Sequence, residues 1–130
     1  MRTLSRISIL LLMAMFLIGC SRPPSMTAVH GKTIEHWVSA LNDKDAKTRR
    51  KAAEVLGNVG AIDPTVIPAL IAALKDRDAK VRAEAVLSLL KIGPAAKDAV
   101  PVLTDLRNDR DATVRSHAAK ALERITGGGN

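Results

Sequence analysis

A register of thirty-three residues runs through this chain and limits its fold more than any other feature. Asp45, Asp78 and Asp111 stand one step apart, and the same step carries Asp43 to Asp76 to Asp109 and Arg49 to Arg82 to Arg115. Ala46, Ala79 and Ala112 keep it, as do Ala52, Ala85 and Ala118, and Leu56, Leu89 and Leu122. Similar residues follow at Ile34, Ile67 and Val100, and at Val59, Ile92 and Ile125. Self-similarity without a gap marks an array of stacked supersecondary units, each too small to bury its own apolar face alone.

Two helical patterns fill each unit. Ile67, Leu70, Ile71 and Leu74 recur at i, i+3, i+4 and i+7, one apolar stripe of a helix, and Ile34, Trp37, Val38 and Leu41 repeat it in the first unit. Unit three is weaker, because Thr104 and Arg107 occupy two stripe positions. Val81, Ala85, Leu89 and Ile92 make the stripe of the second helix. Thr33, Asp45, Asp78 and Asp111 stand where N-caps belong, Pro68 and Pro101 fall in first turns, and Gly60 and Gly93 close helices. Aromatic residues make up only 2% of the chain and Tyr is absent, a palette poor for strands. The predicted units are residues 33–60, 64–93 and 97–126, followed by a Gly-rich tail, 127–130.

The string Asp-x-Asp-Ala-x-Val-Arg from Asp76 to Arg82, with Ala85 and Leu89 on the helix it opens, resembles HEAT repeats. It is most similar to the short HEAT-like repeats named after phycobilisome lyases, and the likeness covers residues 31–126. The resemblance implies an all-α fold, a short right-handed α-solenoid of three HEAT-like helical hairpins. It also implies that Asp43, Asp76 and Asp109 with Arg49, Arg82 and Arg115 form a structural ladder between units. One departure is Thr48, which stands where Val81 and Val114 stand later.

The N-terminus reads as an export signal. Arg2 and Arg6 supply positive charge, and Ile7 to Ile18 form an apolar run broken only by Ser8, too short to span a bilayer. Leu17-Ile18-Gly19-Cys20 resembles the bacterial lipobox, which implies cleavage of residues 1–19 and a lipid on Cys20. Residues 20–32, with Pro23-Pro24 and no helical period, read as the lipidated cysteine and a flexible tether. The resemblance places the protein in the cell envelope, held to a membrane. With Ser21 rather than aspartate after the cysteine, it implies the outer membrane, facing the periplasm, in an organism with two membranes. A single cysteine also forms no internal disulfide.

No catalytic constellation emerges. The Asp and Arg of each unit lie six apart and do not face each other on one helix. Gly31-Lys32-Thr33 lacks the upstream glycine and strand of a phosphate loop. His30, His36 and His117 stand at no metal-ligand spacing, and Ser88, Ser116 and His117 form no nucleophile–base set, so neither metal nor cofactor is expected. Trp37 occupies a stripe position and reads as core.

One surface remains as a candidate site. Opposite the second-helix stripe lie Lys47, Arg50, Lys51, Lys80, Leu87, Lys91, His117, Lys120 and Arg124, among Glu54, Asn58, Ala83, Glu84, Thr113 and Ser116. In HEAT-like stacks the second helices line the concave side. The face reads as a seat for an acidic or envelope-associated protein partner, with Leu87 as an apolar contact amid charge. The same pattern is also that of an ordinary solvated helix face. Loss of Arg2 and Arg6 with the leader lowers the formal charge from +7 to +5, still a positive balance that suits such a partner. An accessory or lyase-like role in chromophore attachment is the alternative that the resemblance suggests. Few aromatics for base stacking and an export signal argue against nucleic acid. The polar last helix reads as a cap and suggests a monomer.

Overall fold

A computed structural model describes residues 28–127. The predicted signal segment, Cys20 and its lipid, and most of the tether lie outside the described residues, as do residues 128–130. The structure is a short all-α solenoid with a small hairpin at its start. Strand β1 (Ala28–Val29) pairs antiparallel with β2 (Lys32–Thr33), Ala28 opposite Thr33. Then follow α1 (Ile34–Ala40), α2 (Ala46–Val59), α3 (Val66–Ala73), α4 (Ala79–Ile92), α5 (Val100–Asp105) and α6 (Ala112–Gly127).

Residues 28–32, read from the sequence as the end of the tether, are therefore folded. His30 and Gly31 both take positive φ, 53° and 72°, the two-residue turn that matches the twist of a hairpin. The Trp37 indole Nε1 donates to the Val29 carbonyl at 3.1 Å, which ties the hairpin to α1. Lys32 Nζ lies 5.3 Å from the Trp37 ring centroid, and the His36 ring meets Trp37 edge to face. Gly31 thus sits at a hairpin tip. Thr33 accepts from the His36 amide and caps α1.

Asp45 caps α2 by accepting from the Thr48 amide and hydroxyl. Asp78 accepts from the Lys80 and Val81 amides, and Asp111 from those of Thr113 and Val114, each satisfying orphan donors of a first turn. Gly60 and Gly93, at φ 74° and 71°, end α2 and α4 where a side chain would be strained. Each leads into a 3₁₀ turn, Gly60–Ile62 and Gly93–Ala99.

The core runs as one column through all three units: Ile34, Leu56, Leu70, Leu74, Leu89, Leu103 and Ile125 are its largest fully buried side chains. The first helix of unit two presents Val66, Leu70, Ala73 and Leu74 inward, while Ile67 and Ile71 are only partly buried. The true buried face is thus rotated from the periodic stripe. Helix α4 buries Val86 and Ser88 besides its stripe, because α2 packs on one side and α6 on the other.

Unit three departs from the pattern. Its first helix is reduced to Val100–Asp105 between two 3₁₀ segments, Gly93–Ala99 and Leu106–Asn108. Pro101, like Pro68 in unit two, falls in the first turn and costs no hydrogen bond, but Thr104 turns its hydroxyl back onto the Val100 carbonyl at 2.8 Å, which competes with helix propagation. Arg107, exposed, stands at the register position of buried Leu41 and Leu74.

Candidate functional site

Two chemistries meet on the second helices: a buried ladder that joins the units, and an exposed basic face. The ladder begins with Arg49, only 4% exposed at the start of α2. Its Nε and Nη2 grip both carboxylate oxygens of Asp76 at 2.7 and 3.0 Å, while Nη1 donates to the Asp43 and Lys44 carbonyls. Arg82 repeats this one unit on. Its Nε and Nη2 hold Asp109 at 2.9 and 2.8 Å, and Nη1 donates to the Asp76 and Arg77 carbonyls. Each aspartate also accepts the amide two residues on, Asp78 for Asp76 and Asp111 for Asp109. The planar guanidinium fork suits this task, since it binds one unit's carboxylate and its own unit's turn together.

The charges respond. Burial pushes the Asp76 carboxyl up, but the Arg49 hydrogen bonds and the Asp78 amide outweigh it and hold the group below its ordinary value. At Asp109 the Arg82 hydrogen bonds are the leading cause of the same lowering. Arg49 and Arg82 are raised in turn, chiefly by those hydrogen bonds.

The ladder has open ends. The Asp43 carboxyl caps its own turn by accepting the Asp45 amide, and no guanidinium reaches it among the described residues. Arg115 donates to the Asp109 and Arg110 carbonyls but meets no carboxylate among the described residues.

Sequence reasoning missed the tightest contact between units. Ser88, fully buried, donates to the Ala53 carbonyl at 2.8 Å, and a Cβ placed on Gly57 would come within 2.8 Å of the Ser88 Cα. Helices α2 and α4 therefore approach closely over Gly57. The available signal was Gly57 itself, since a mid-helix glycine costs about 1 kcal/mol against alanine and usually has a packing reason. Ser88 is thus a structural hydroxyl.

The candidate face lies on the solvent side of the second helices. Lys47, Arg50, Lys51, Lys80, Lys91, Lys120 and Arg124 are exposed, while Leu87 and His117 are partly buried. One contact crosses from helix to helix: Lys91 Nζ reaches Asn58 Oδ1 at 3.4 Å. Within α2, Lys51 pairs with Glu54 at 3.0 Å, and this hydrogen bond is the leading cause of a Glu54 carboxyl held below its ordinary value. Lys47, Arg50 and Lys80 line a groove of about 400 Å³ with Asp45, Ala46 and Asp78, between the starts of α2 and α4. Arg124 lies beside Gly93, where α4 ends and a cation suits the helix dipole. His117 Nδ1 is buried without a hydrogen-bond partner among the described residues. Among the described residues no group of His, Cys, Asp and Glu is placed to hold a metal, and no helix is long and apolar enough to cross a membrane.

Comparison with known proteins agrees with this architecture. No curated protein matches the chain. Among solved structures, the complex of CpcE and CpcF of phycocyanin lyase from Nostoc sp. PCC7120 is similar with a TM-score of 0.66 and 30% identity, covering 80% of this chain and 41% of that one. An engineered protein follows with a TM-score of 0.58 and 29% identity over 74% of this chain and 46% of its own. The chain thus spans less than half the length of these solved chains. The family described as HEAT repeats matches residues 34–123, nearly all of the described helical stack, and the chain belongs to that family.

Proposed function

We propose that this protein is a non-catalytic, membrane-anchored interaction module that holds an acidic envelope partner on its second-helix face. HEAT repeats suggest a protein-interaction scaffold, and the observation that carries the reading further is that Lys47, Arg50, Lys80, Lys91, Lys120 and Arg124 are all exposed, with Lys47, Arg50 and Lys80 sharing one groove and Lys91 reaching Asn58 on α2. A rigid stack presents these cations without an ordering cost in the backbone, so a carboxylate-rich surface loses little entropy on the protein side. Leu87, partly exposed on the middle helix, supplies an apolar contact within the charged field. The lipobox-like string ending at Cys20 supports an envelope location, with a lipid as the anchor. The test is charge reversal at Arg50, Lys51, Lys91 and Lys120 to Glu, with capture of envelope proteins by the anchored chain. Loss of the captured set is expected; an unchanged set defeats the reading.

A second reading has its own support, the similarity to the complex of CpcE and CpcF of phycocyanin lyase. On this reading the protein is an accessory in attaching a chromophore to an acceptor protein. Coexpression with a bilin and an acceptor, followed by visible absorbance of the acceptor, decides it. Attachment that depends on this chain would displace the interaction-module reading.

A further inference from the structure

The two rims of the stack, where the chain turns, are chemically unlike. At the rim that carries the ladder the turns are Asn42-Asp43-Lys44-Asp45, Lys75-Asp76-Arg77-Asp78 and Asn108-Asp109-Arg110-Asp111, polar or charged at every position. At the other rim, where second helices end and first helices begin, the turns run Gly60-Ala61-Ile62-Asp63-Pro64 and Gly93-Pro94-Ala95-Ala96-Lys97-Asp98-Ala99, apolar at most positions. Ala61, Pro64, Pro94 and Ala95 are exposed there. Ile62, 80% exposed, is the large apolar side chain left in solvent among the described residues. Its turn is ordered: Gly60 sets the bend, and Asp63 Oδ1 accepts the Thr65 amide at 2.8 Å and its hydroxyl. An isoleucine held outward by a fixed turn forgoes the gain of burial within the fold.

This rim is also where the chain departs toward Cys20. Ala28 pairs with Thr33, and Thr33 caps α1, so Ala28 lies at the start of the first helix. Residues 21–27 separate it from Cys20. Such a segment spans about 25–30 Å even when fully extended. A lipid on Cys20 therefore tethers the stack from the side of its apolar rim, which lies nearer the anchor than the charged rim by the length of α2, about 20 Å.

We infer that the rim bearing Ile62, Ala61, Pro64, Pro94 and Ala95 is a lipid-facing surface that rests in the boundary between headgroups and acyl chains. The inference rests on the anchor reading and adds an orientation to it. Net charge contributes little, since Lys32, Lys91, Lys97 and Arg124 near this rim are balanced by Glu35, Asp63, Asp98 and Glu123, so the contact is indifferent to the share of anionic lipid. The ladder rim then points away from the membrane, and the basic face opens sideways, with Lys91 and Arg124 at its membrane-side end.

Membrane fractionation of the full chain and of Cys20→Ser tests the anchor by itself. Unchanged partition of Cys20→Ser would remove the anchor and this inference with it. The orientation is tested on the lipidated chain in vesicles of phosphatidylethanolamine with phosphatidylglycerol, using an environment-sensitive fluorophore on Ile62→Cys or on Arg110→Cys at the ladder rim. Cys20 is the single native cysteine and is blocked by its lipid, so the label is unambiguous. The expected result is a blue shift and quenching by brominated acyl chains at position 62, neither at 110, and no change as phosphatidylglycerol is withdrawn. Equal quenching at both positions, with partition still dependent on Cys20, would overturn the lipid-facing rim and leave the anchor standing.

Discussion

The junction between units one and two differs from that between units two and three, although one repeat pattern writes both. At the first, the Arg49 and Asp76 side chains are 5% and 11% exposed, and Gly57 lets α4 approach until Ser88 hydrogen-bonds the Ala53 carbonyl. At the second, the Arg82 and Asp109 side chains are 14% and 9% exposed, Leu90 stands at the register of Gly57, and Ala121 at that of Ser88. The helix that flanks that junction, α5, is shortened to Val100–Asp105 between two 3₁₀ segments. An identical ladder motif thus works with its arginine enclosed to different degrees and beside two kinds of packing. A repeat specifies which groups meet; the neighbours around them decide how much the meeting stabilises.

The largest expected effect comes from breaking the more enclosed pair. Asp76→Ala leaves the Arg49 guanidinium buried without its carboxylate, for a loss of about 3–5 kcal/mol in urea unfolding. Asp109→Ala should cost less, because water reaches Arg82 more easily. Equal losses at the two sites would erase the contrast between the junctions.

Next in size is the close approach. Gly57→Ala forces α2 and α4 apart and should destabilise by about 1–3 kcal/mol despite alanine's better helix propensity. Leu90→Ala leaves a gap in place of a clash. Adding Ser88→Gly to Gly57→Ala should not restore the stability, because the Ser88 Cα also stands in the way and the buried hydrogen bond to Ala53 is lost. Full recovery in the double variant would place the obstacle in the Ser88 side chain alone.

The acid limb of stability sharpens the comparison further. Asp76 and Asp109 have folded-state pKa values lowered by their arginines. Their contribution is therefore full above the unfolded-state carboxylate value and drains away as pH falls through the lower folded value. Stability should hold from neutrality to about pH 5 and decline below it. Asp76→Asn should flatten that limb, and a curve of unchanged shape would separate the ladder from acid unfolding.

The smallest effect belongs to the open end. Arg115→Ala removes a cation that holds two carbonyls but no described carboxylate, so the change should stay within about 0.5 kcal/mol. A loss as large as that of Asp76→Ala would mean that Arg115 has a carboxylate partner.

Much of the fold was legible in the residues because repeats report on themselves. The N-caps Asp45, Asp78 and Asp111, the closing Gly60 and Gly93, and the inward Leu56, Leu89 and Val81 obey local rules of capping and periodicity. The inward face of α3 was less legible, since the neighbours Val66 and Ile67 are both apolar and only packing selects Val66 for the core. The hairpin at Ala28–Thr33 was illegible, because two residues per strand carry no period and Trp37 supplies what holds them. The candidate face could be named by helical geometry alone. That Leu87 is half withdrawn and Lys91 reaches Asn58 depends on how the helices lie together.

From the residues alone come the stacked helical hairpins, their register, their caps and the lipobox-like leader, all consequences of short-range chemistry repeated at fixed spacing. Only the tertiary structure decided which aspartate each arginine grips, that Gly57 is the point of closest approach, and that apolar and charged turns fall on opposite rims. Those outcomes join residues about one unit apart, and such distances close only when whole helices pack.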